Sequence, residues 1–455
     1  MSPLRSIAAI LTLGAVACTV SGARVQPKIP LPARFSSAGD RALADRWWLD
    51  FDDPVLTSLV DQGLAANPGL LGTWARLDEA QASVRGSRAS LYPSIDASAG
   101  AGANVRGSGA SGSLSLGVSA SYEVDLWGRV AATRDATALE AEATEMDLRA
   151  AAISLSAEIA TTWYQLVASR AGHELLQRQL ELAERSLDLT RQRFERGLVA
   201  EVDVLGQEQN VESLRASQVS ADKDVALLEH RLAVLLGRPP TERVAPDVST
   251  LAALPPLPAA GVPSELLLRR PDLVASLLRV QAADRSVAAA IAARYPRLSL
   301  GLDLSTGLGA AGGLLDSWAG SLVANLVAPL FDGGQRRADA DRARAQLRER
   351  VQGYAGTVLS ALAEVEDALT TEAQGRASLA SVERQLALAS QVLAHVQDAY
   401  AAGASDYLKV LDATRSVQAL ERQRLEAQSA LLQNRIALCR ALAGSWTLAR
   451  PEAAS

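Results

Sequence analysis

One short motif near the start of the chain has residue types and spacing that could do chemistry. It is Ala15-Val16-Ala17-Cys18, small residues running into a cysteine. It follows the positive charge of Arg5 and an apolar run of 11 residues, Ile7 to Ala17, too short for a permanent membrane span. The motif resembles a bacterial lipobox, in which Cys18 becomes the lipidated first residue of the mature chain, carrying palmitate, and residues 1–17 are removed as a signal peptide. Thr19, in place of an Asp, favours onward sorting to the outer membrane. The competing reading is an ordinary secretory signal with an incidental cysteine.

No other reactive constellation is present. Two cysteines, Cys18 and Cys439, exclude a disulfide framework and a Cys-rich metal site. Three isolated histidines, His173, His230 and His395, argue against a His-built metal centre. There is no nucleophile elbow, P-loop or Ser/His/Asp arrangement. The expectation is a protein that is not an enzyme and uses no metal or cofactor.

The elements must therefore carry the function. The 455 residues hold 45 Lys+Arg against 51 Asp+Glu, a net charge of −6 with both signs dispersed, which excludes a nucleic-acid partner. Hydrophobic residues at 48% and charged residues at 21% exclude disorder. Aromatics are only 4%, and Ala, Leu, Arg, Glu and Gln dominate, the composition of long helices. Proline marks where those helices can run. None of the 18 lies between Pro93 and Pro239 or between Pro329 and Pro451, whereas eight fall from Pro239 to Pro271. Arg129 to Glu195 and Gln335 to Ala401 are both proline-free, and 67 residues of helix measure about 100 Å.

The chain repeats itself. Asn67-Pro68 through Leu91-Tyr92-Pro93 matches Arg270-Pro271 through Arg294-Tyr295-Pro296 at an offset of 203. Phe194-Glu195-Arg196-Gly197 matches Tyr400-Ala401-Ala402-Gly403 at 206, and Leu236-Gly237 matches Ala443-Gly444 at 207. The expected organisation is a tether over 18–42, a first repeat over 43–240, a Pro-rich linker over 241–263, a second repeat over 264–446 and a tail over 447–455. Each repeat reads as short helix, β-hairpin, long helix and return helix. The hairpins fall at about 94–126 and 297–330, the long helices at 129–195 and 335–401, and the return helices at about 202–235 and 406–442. Loops are expected at 105–113 and 308–316.

Two periodicities support this division. Apolar residues alternate at Leu114, Leu116, Val118, Ala120 and Tyr122, and again at Leu298, Leu300, Leu302 and Leu304, as in strands with one apolar face. Four such strands cannot close a barrel alone, so membrane strands would have to be shared among copies. The helices carry steps of three and four at His173, Leu176, Leu180, Ala183, Leu187, Thr190 and Phe194. The same steps recur 206 residues on, from Leu379 through Val382, Leu386, Ala389, Leu393 and Val396 to Tyr400, the seam of a coiled coil. His173 reads here as a packing residue, Cys439 as a small buried hydrophobe, and Trp74, Trp163 and Tyr164 as core.

With these residues in view, the chain resembles the TolC-like outer membrane efflux proteins, and most closely their lipidated NodT/OprM-type branch. The resemblance rests on Trp47-Trp48-Leu49-Asp50-Phe51-Asp52-Asp53-Pro54, on Arg269-Arg270-Pro271-Asp272-Leu273 and on Arg294-Tyr295-Pro296-Arg297-Leu298. It also rests on Pro329-Leu330-Phe331-Asp332-Gly333-Gly334-Gln335, with Leu126-Trp127-Gly128-Arg129 as its first-repeat match. It covers residues from about 25 to 446. It implies a mainly α protein with a membrane β-barrel portion: a homotrimer whose 12-stranded barrel continues into a long periplasmic α-helical barrel. It further implies a passive exit duct for drugs or other small molecules in a tripartite, RND-type pump. The partners would be a periplasmic adaptor (membrane fusion) protein, an inner-membrane pump and outer membrane lipid.

The resemblance also nominates residues at the two helix-joining turns. Asp412 matches an acidic position that narrows the closed tip in relatives. Lys409 stands where a second acid is usual, and its repeat equivalent Asp203 would face it; Asp406 completes the charged set. Gly197, Leu198 and Val199, with Gly403, resemble the segment that meets the adaptor, while Gly197 and Gly403 also suit left-handed helix ends. Within the same architecture a protein-secretion or heavy-metal duct is an alternative. A lipid-anchored coiled-coil scaffold without a pore is the alternative of another class.

Overall fold

The computed structural model describes residues 30–37, 39, 43–106, 109–308, 318–444, 446 and 448–450. The signal peptide, Cys18, most of the 18–42 tether and most of the 447–455 tail lie outside the described residues. After a 3₁₀ turn at Trp47–Phe51 come α1 (Pro54–Ala66), α2 (Pro68–Ala89), β1 (Ser94–Arg106), β2 (Gly109–Val124), α3 (Arg129–Glu195) and α4 (Glu201–Leu235). Then follow α5 (Pro263–Arg269), α6 (Pro271–Ala292), β3 (Arg297–Leu308), β4 (Trp318–Val327), α7 (Gln335–Ala401) and α8 (Tyr407–Leu442).

The chain divides into two compact units that cut across the sequence repeats. One holds Ala75–Met146 and Val274–Thr357, the other Pro30–Trp74, Asp147–Leu273 and the chain from Val358 onward. Each unit takes matching pieces of both repeats, because each 67-residue helix begins in one unit and ends in the other.

The strand-bearing unit contains one antiparallel sheet in the order β1-β2-β3-β4. Its register separates two faces. Ile95 pairs with Ala120, Ala120 with Leu302 and Leu302 with Leu322, an apolar rung. One residue away Asp96 pairs with Ser119, Ser119 with Asp303 and Asp303 with Ser321, a polar rung. The expected loop at 105–113 is largely strand, since pairing runs on to Val105 with Ala110 and Arg106 with Gly109. Gly and Ser there signal a turn by composition, but both tolerate extended backbone once a partner strand supplies the hydrogen bonds.

At the base of the sheet Trp127 stacks on Tyr295 with ring centroids 4.9 Å apart, and its indole donates to the Pro296 carbonyl at 2.8 Å. The Asp125 carboxylate caps α3 by accepting from Val130 N and Ala131 N at 3.1 and 2.8 Å. Asp332 does the same for α7. The backbone N–H of Gly334 holds its carboxyl below the usual range, with Arg336 adding to the effect.

The second unit is built around aromatics. Trp47 and Trp48 are wholly buried, with Phe51, Trp163 and Tyr164 close to it. Trp47 donates to Ser156 at 3.2 Å and Trp163 to Asp53 at 2.9 Å, while Asp53 also caps α1 through Val55 N and Leu56 N. Burial, reinforced by the Asp53 charge, drives the Tyr164 phenol far above its ordinary pKa. The opening Trp-Trp motif is thus a core plug. Gly237 ends α4 at φ +72°, where a Cβ would lie 2.4 Å from the Ala66 carbonyl oxygen, so only glycine fits.

Two buried arginines fasten the Pro-rich linker. Arg170 of α3 donates to the Pro246 carbonyl at 2.5 Å and to Glu229 of α4 at 2.6 Å. Arg435 of α8 donates to the Pro255 carbonyl and to Glu372 of α7, the latter at 2.5 Å. Position 435 is the repeat equivalent of 229, so the two clamps have opposite polarity. The return helix supplies the acid in the first repeat and the base in the second. Cys439 lies beside the second clamp, buried, with its thiol pushed up to about 12 by burial.

Candidate functional site

The site is the pair of turns joining the long helices. The α3–α4 turn closes when Gly197, at φ +68°, lets its N–H reach Phe194 O at 2.8 Å and Leu198 N reach Arg193 O at 2.9 Å. Asp203 then accepts from Ala200 N at 3.2 Å, so its carboxylate serves the start of α4. The α7–α8 turn uses Gly403 at φ +73°, with Gly403 N on Tyr400 O at 3.0 Å and Ala404 N on Ala399 O at 2.8 Å. Asp406 occupies the N-cap position of α8 without a side-chain cap bond.

The charged candidates are placed as follows. Asp412, Lys409 and Asp406 are exposed and Asp203 is half-buried. Among the described residues of one chain, no ion pair joins Lys409 to Asp203, whose carboxylate is engaged at Ala200. On the other turn Leu198 is 69% exposed and is followed on the α4 surface by exposed Val202 and Leu205, with Val199 half-buried beneath.

Sequence reasoning missed the contacts that tie one hairpin to the other. The Tyr407 hydroxyl donates to Gln207 at 3.2 Å and lies 3.0 Å from the Ser186 hydroxyl. Arg193 donates to the Tyr400 hydroxyl at 3.1 Å and its guanidinium sits 5.4 Å from the centre of that ring. Arg415 of α8 reaches Asn210 at 3.1 Å, the Gly206 carbonyl at 3.3 Å and Gln209 at 3.4 Å. Farther along, Gln179 donates to the Gln418 carbonyl and to Glu421, and accepts from Arg422 at 2.7 Å. Between these polar contacts, Leu176, Ala183 and Leu187 of α3 pack on Val204, Val211 and Leu214 of α4. A signal was available: Gln207 and Asn210 are buried polar residues beside an apolar stripe, and such groups require partners.

Helical hairpins of this size, in a chain that also carries an antiparallel sheet with one apolar face, have their counterpart in known proteins. The family model described as outer membrane efflux protein matches twice, over residues 59–238 and 262–444, once per repeat.

The chain belongs to the outer membrane efflux protein family.

Among its relatives is the pyoverdine export outer membrane protein OpmQ of Pseudomonas aeruginosa, 33% identical over 98% of this chain and 97% of that one. The cation efflux system protein CusC of Escherichia coli is 28% identical over 98% of this chain and 100% of CusC. Among solved structures, the outer-membrane channel OprN superposes with a TM-score of 0.86 at 30% identity, covering 93% of this chain and 99% of OprN. The fold is therefore TolC-like, the family is one of channel proteins and not of enzymes, and this member is an efflux protein of the outer membrane.

Proposed function

We propose that the chain is the passive exit duct of a tripartite efflux pump, assembled as a homotrimer. The observation that carries this reading is the sheet: four strands, two open edges and one continuous apolar face. An apolar outer face suits lipid, and three copies supply 12 strands, enough to close a barrel. The helical hairpins then hang toward the periplasm. Their turns meet an adaptor protein through Leu198 and Val199 between Gly197 and the start of α4, with Gly403 shaping the second turn. An inner-membrane pump supplies the energy and the selection of cargo, so the duct needs no cofactor, metal or catalytic residue. Cys18 anchors the mature chain to the outer membrane by lipid. Residues 43–240 and 264–446 act as duplicated halves joined by the 241–263 linker.

The gate lies at the tip. In a trimer Asp412 recurs three times around the axis, and like charges in a narrow ring repel unless other contacts hold them. Lys409, Asp203 and Asp406 complete the charged rim, with Lys409 of one copy offered to acids of its neighbour. The Tyr407 and Arg415 contacts hold the two hairpins of each copy together in the closed state.

Single-channel recording on the purified oligomer, with its mass determined in detergent, tests the reading. A trimer giving discrete conductance steps that increase in Asp412→Ala supports duct and gate. A trimer whose conductance is unchanged in Asp412→Ala removes Asp412 from the gate. A folded, silent monomer removes the duct and favours a scaffold.

A further inference from the structure

The sheet ends in two edges, β1 and β4, each with a single neighbour in one chain. Beside those edges the chain carries a second copy of a contact that it already makes internally. Within the chain β2 meets β3 with Val124 opposite Leu298, and three residues farther along each strand line come Trp127 and Tyr295, whose rings stack. The repeat places Tyr92-Pro93 where Tyr295-Pro296 stands, and Leu330-Phe331 where Leu126-Trp127 stands. The duplicate pair is therefore Phe331 and Tyr92, yet these residues sit at opposite edges of the sheet, three strand spacings or about 14 Å apart. Both are open: Tyr92 is 72% exposed, Phe331 94% and Leu330 95%.

We propose that the β4 edge of one copy pairs with the β1 edge of the next in a defined antiparallel register, with Phe331 stacked on Tyr92 of the adjacent copy. The occupant of each edge is a second copy of this chain, and the contact continues the β2–β3 interface across the boundary between copies. The register follows from the junction residues alone. Carried along the strands, it puts Val327 opposite Asp96, Leu326 opposite Ala97, Asn325 opposite Ser98, Ala324 opposite Ala99 and Leu322 opposite Ala101.

The faces then agree without further adjustment. Leu322, Ala324 and Leu326 share the apolar face of Leu302, Leu300 and Leu298, and Ala97, Ala99 and Ala101 lie on that same face of β1. A slip of one residue would set Leu326 against Asp96 or Ser98 and turn one strand inside out. The inference rests on the proposed barrel of several copies, and it fixes what that barrel leaves open, namely which residues meet at the boundary.

Cysteine pairing in the assembled full-length protein tests it. Residues directly opposite have Cα atoms about 4.5–5.5 Å apart, inside the span that a disulfide bridges, and residues displaced by four positions do not. Asn325→Cys with Ser98→Cys should form a ladder of covalent dimers and trimers on mild oxidation, and Asn325→Cys with Ser94→Cys should not. The reverse pattern in a conducting oligomer overturns the register while leaving the duct intact. A chain that is monomeric by mass overturns the duct and the register together. A second measurement keeps the aromatic contact testable if a double variant assembles poorly. Phe331→Ala should lower the temperature at which the oligomer dissociates in SDS, and Phe331→Trp, which restores the residue of the first repeat, should hold it. Equal dissociation temperatures for Phe331→Ala and the unaltered protein overturn the stacking.

Discussion

Arg435 offers the sharpest test of how the hairpins are rooted. It is wholly buried, and its guanidinium serves both Glu372 and the Pro255 carbonyl. Arg435→Met keeps the length of the side chain and removes both bonds. Glu372, itself only 3% exposed, keeps Arg376 at 2.8 Å and Asn434 at 3.3 Å, while the Pro255 carbonyl loses its donor. Breaking a buried pair by deleting one partner costs about 3–5 kcal/mol. The surviving Arg376 bond argues for the low end, about 3 kcal/mol, or roughly 150-fold in an equilibrium constant. Replacing both partners by apolar residues strands no buried charge, since Arg376 is half-exposed, so Arg435→Met with Glu372→Met should be no worse than either single variant. The assay is a double-mutant cycle on unfolding in urea, followed through the fluorescence of Trp47, Trp48 and Trp163, which pack in the same unit. A coupling of about 2–3 kcal/mol is expected. Additive single effects, or a loss below about 1 kcal/mol in Arg435→Met, would refute the clamp as a coupled pair.

Three further outcomes follow from the geometry. Arg415→Ala, which strands Asn210 and the Gly206 carbonyl, should raise the fraction of time the channel spends open in planar bilayers; an unaltered open fraction would mean the contact bears no load in gating. Cys439 should stay unlabelled by maleimide at pH 8 in the folded protein and react on denaturation, because its thiol titrates only near 12. Gly237→Ala should destabilise by about 1–3 kcal/mol in the same urea assay, from left-handed backbone strain and the approach to the Ala66 carbonyl; a neutral substitution would show that the turn can relax.

Much of the architecture was legible because its signals are local and additive. The proline-free stretches coincide with α3 and α7, and the alternation at Leu298 to Leu304 is the apolar face of β3. What escaped depends on groups distant in sequence. An arginine in a charged helix reads as a solvated surface residue, and nothing near Arg170 or Arg435 announces that a Pro-rich linker will lie over it and accept its hydrogen bonds. Asp203 looked available for Lys409 because its capping partner is a backbone N–H, which every residue but proline has and no sequence pattern flags. The Ser/Gly stretch at 105–113 carried composition for a loop, yet pairing with the neighbouring strand decided the matter. Arg415 was hidden for a related reason: its partners lie on α4, two hundred residues away, and become partners only when the hairpins cross.

The opposite polarity of the two linker clamps bears on how a duplicated chain finds its own partners while folding. Two similar long hairpins in one polypeptide invite exchange, with the first long helix collapsing onto the second return helix. Such a mispaired intermediate would set Arg170 against Arg435, like charges where the native pairings bring opposite ones together, whereas Glu229 would meet Arg376, the repeat equivalent of Arg170, beside Glu372. The arrangement would thus disfavour the exchange that brings α3 onto α8. Reversing the first clamp, by Arg170→Glu with Glu229→Arg, would give both halves the same polarity. The yield of correctly paired chain on refolding should then drop, even where the native fold still accepts the swap.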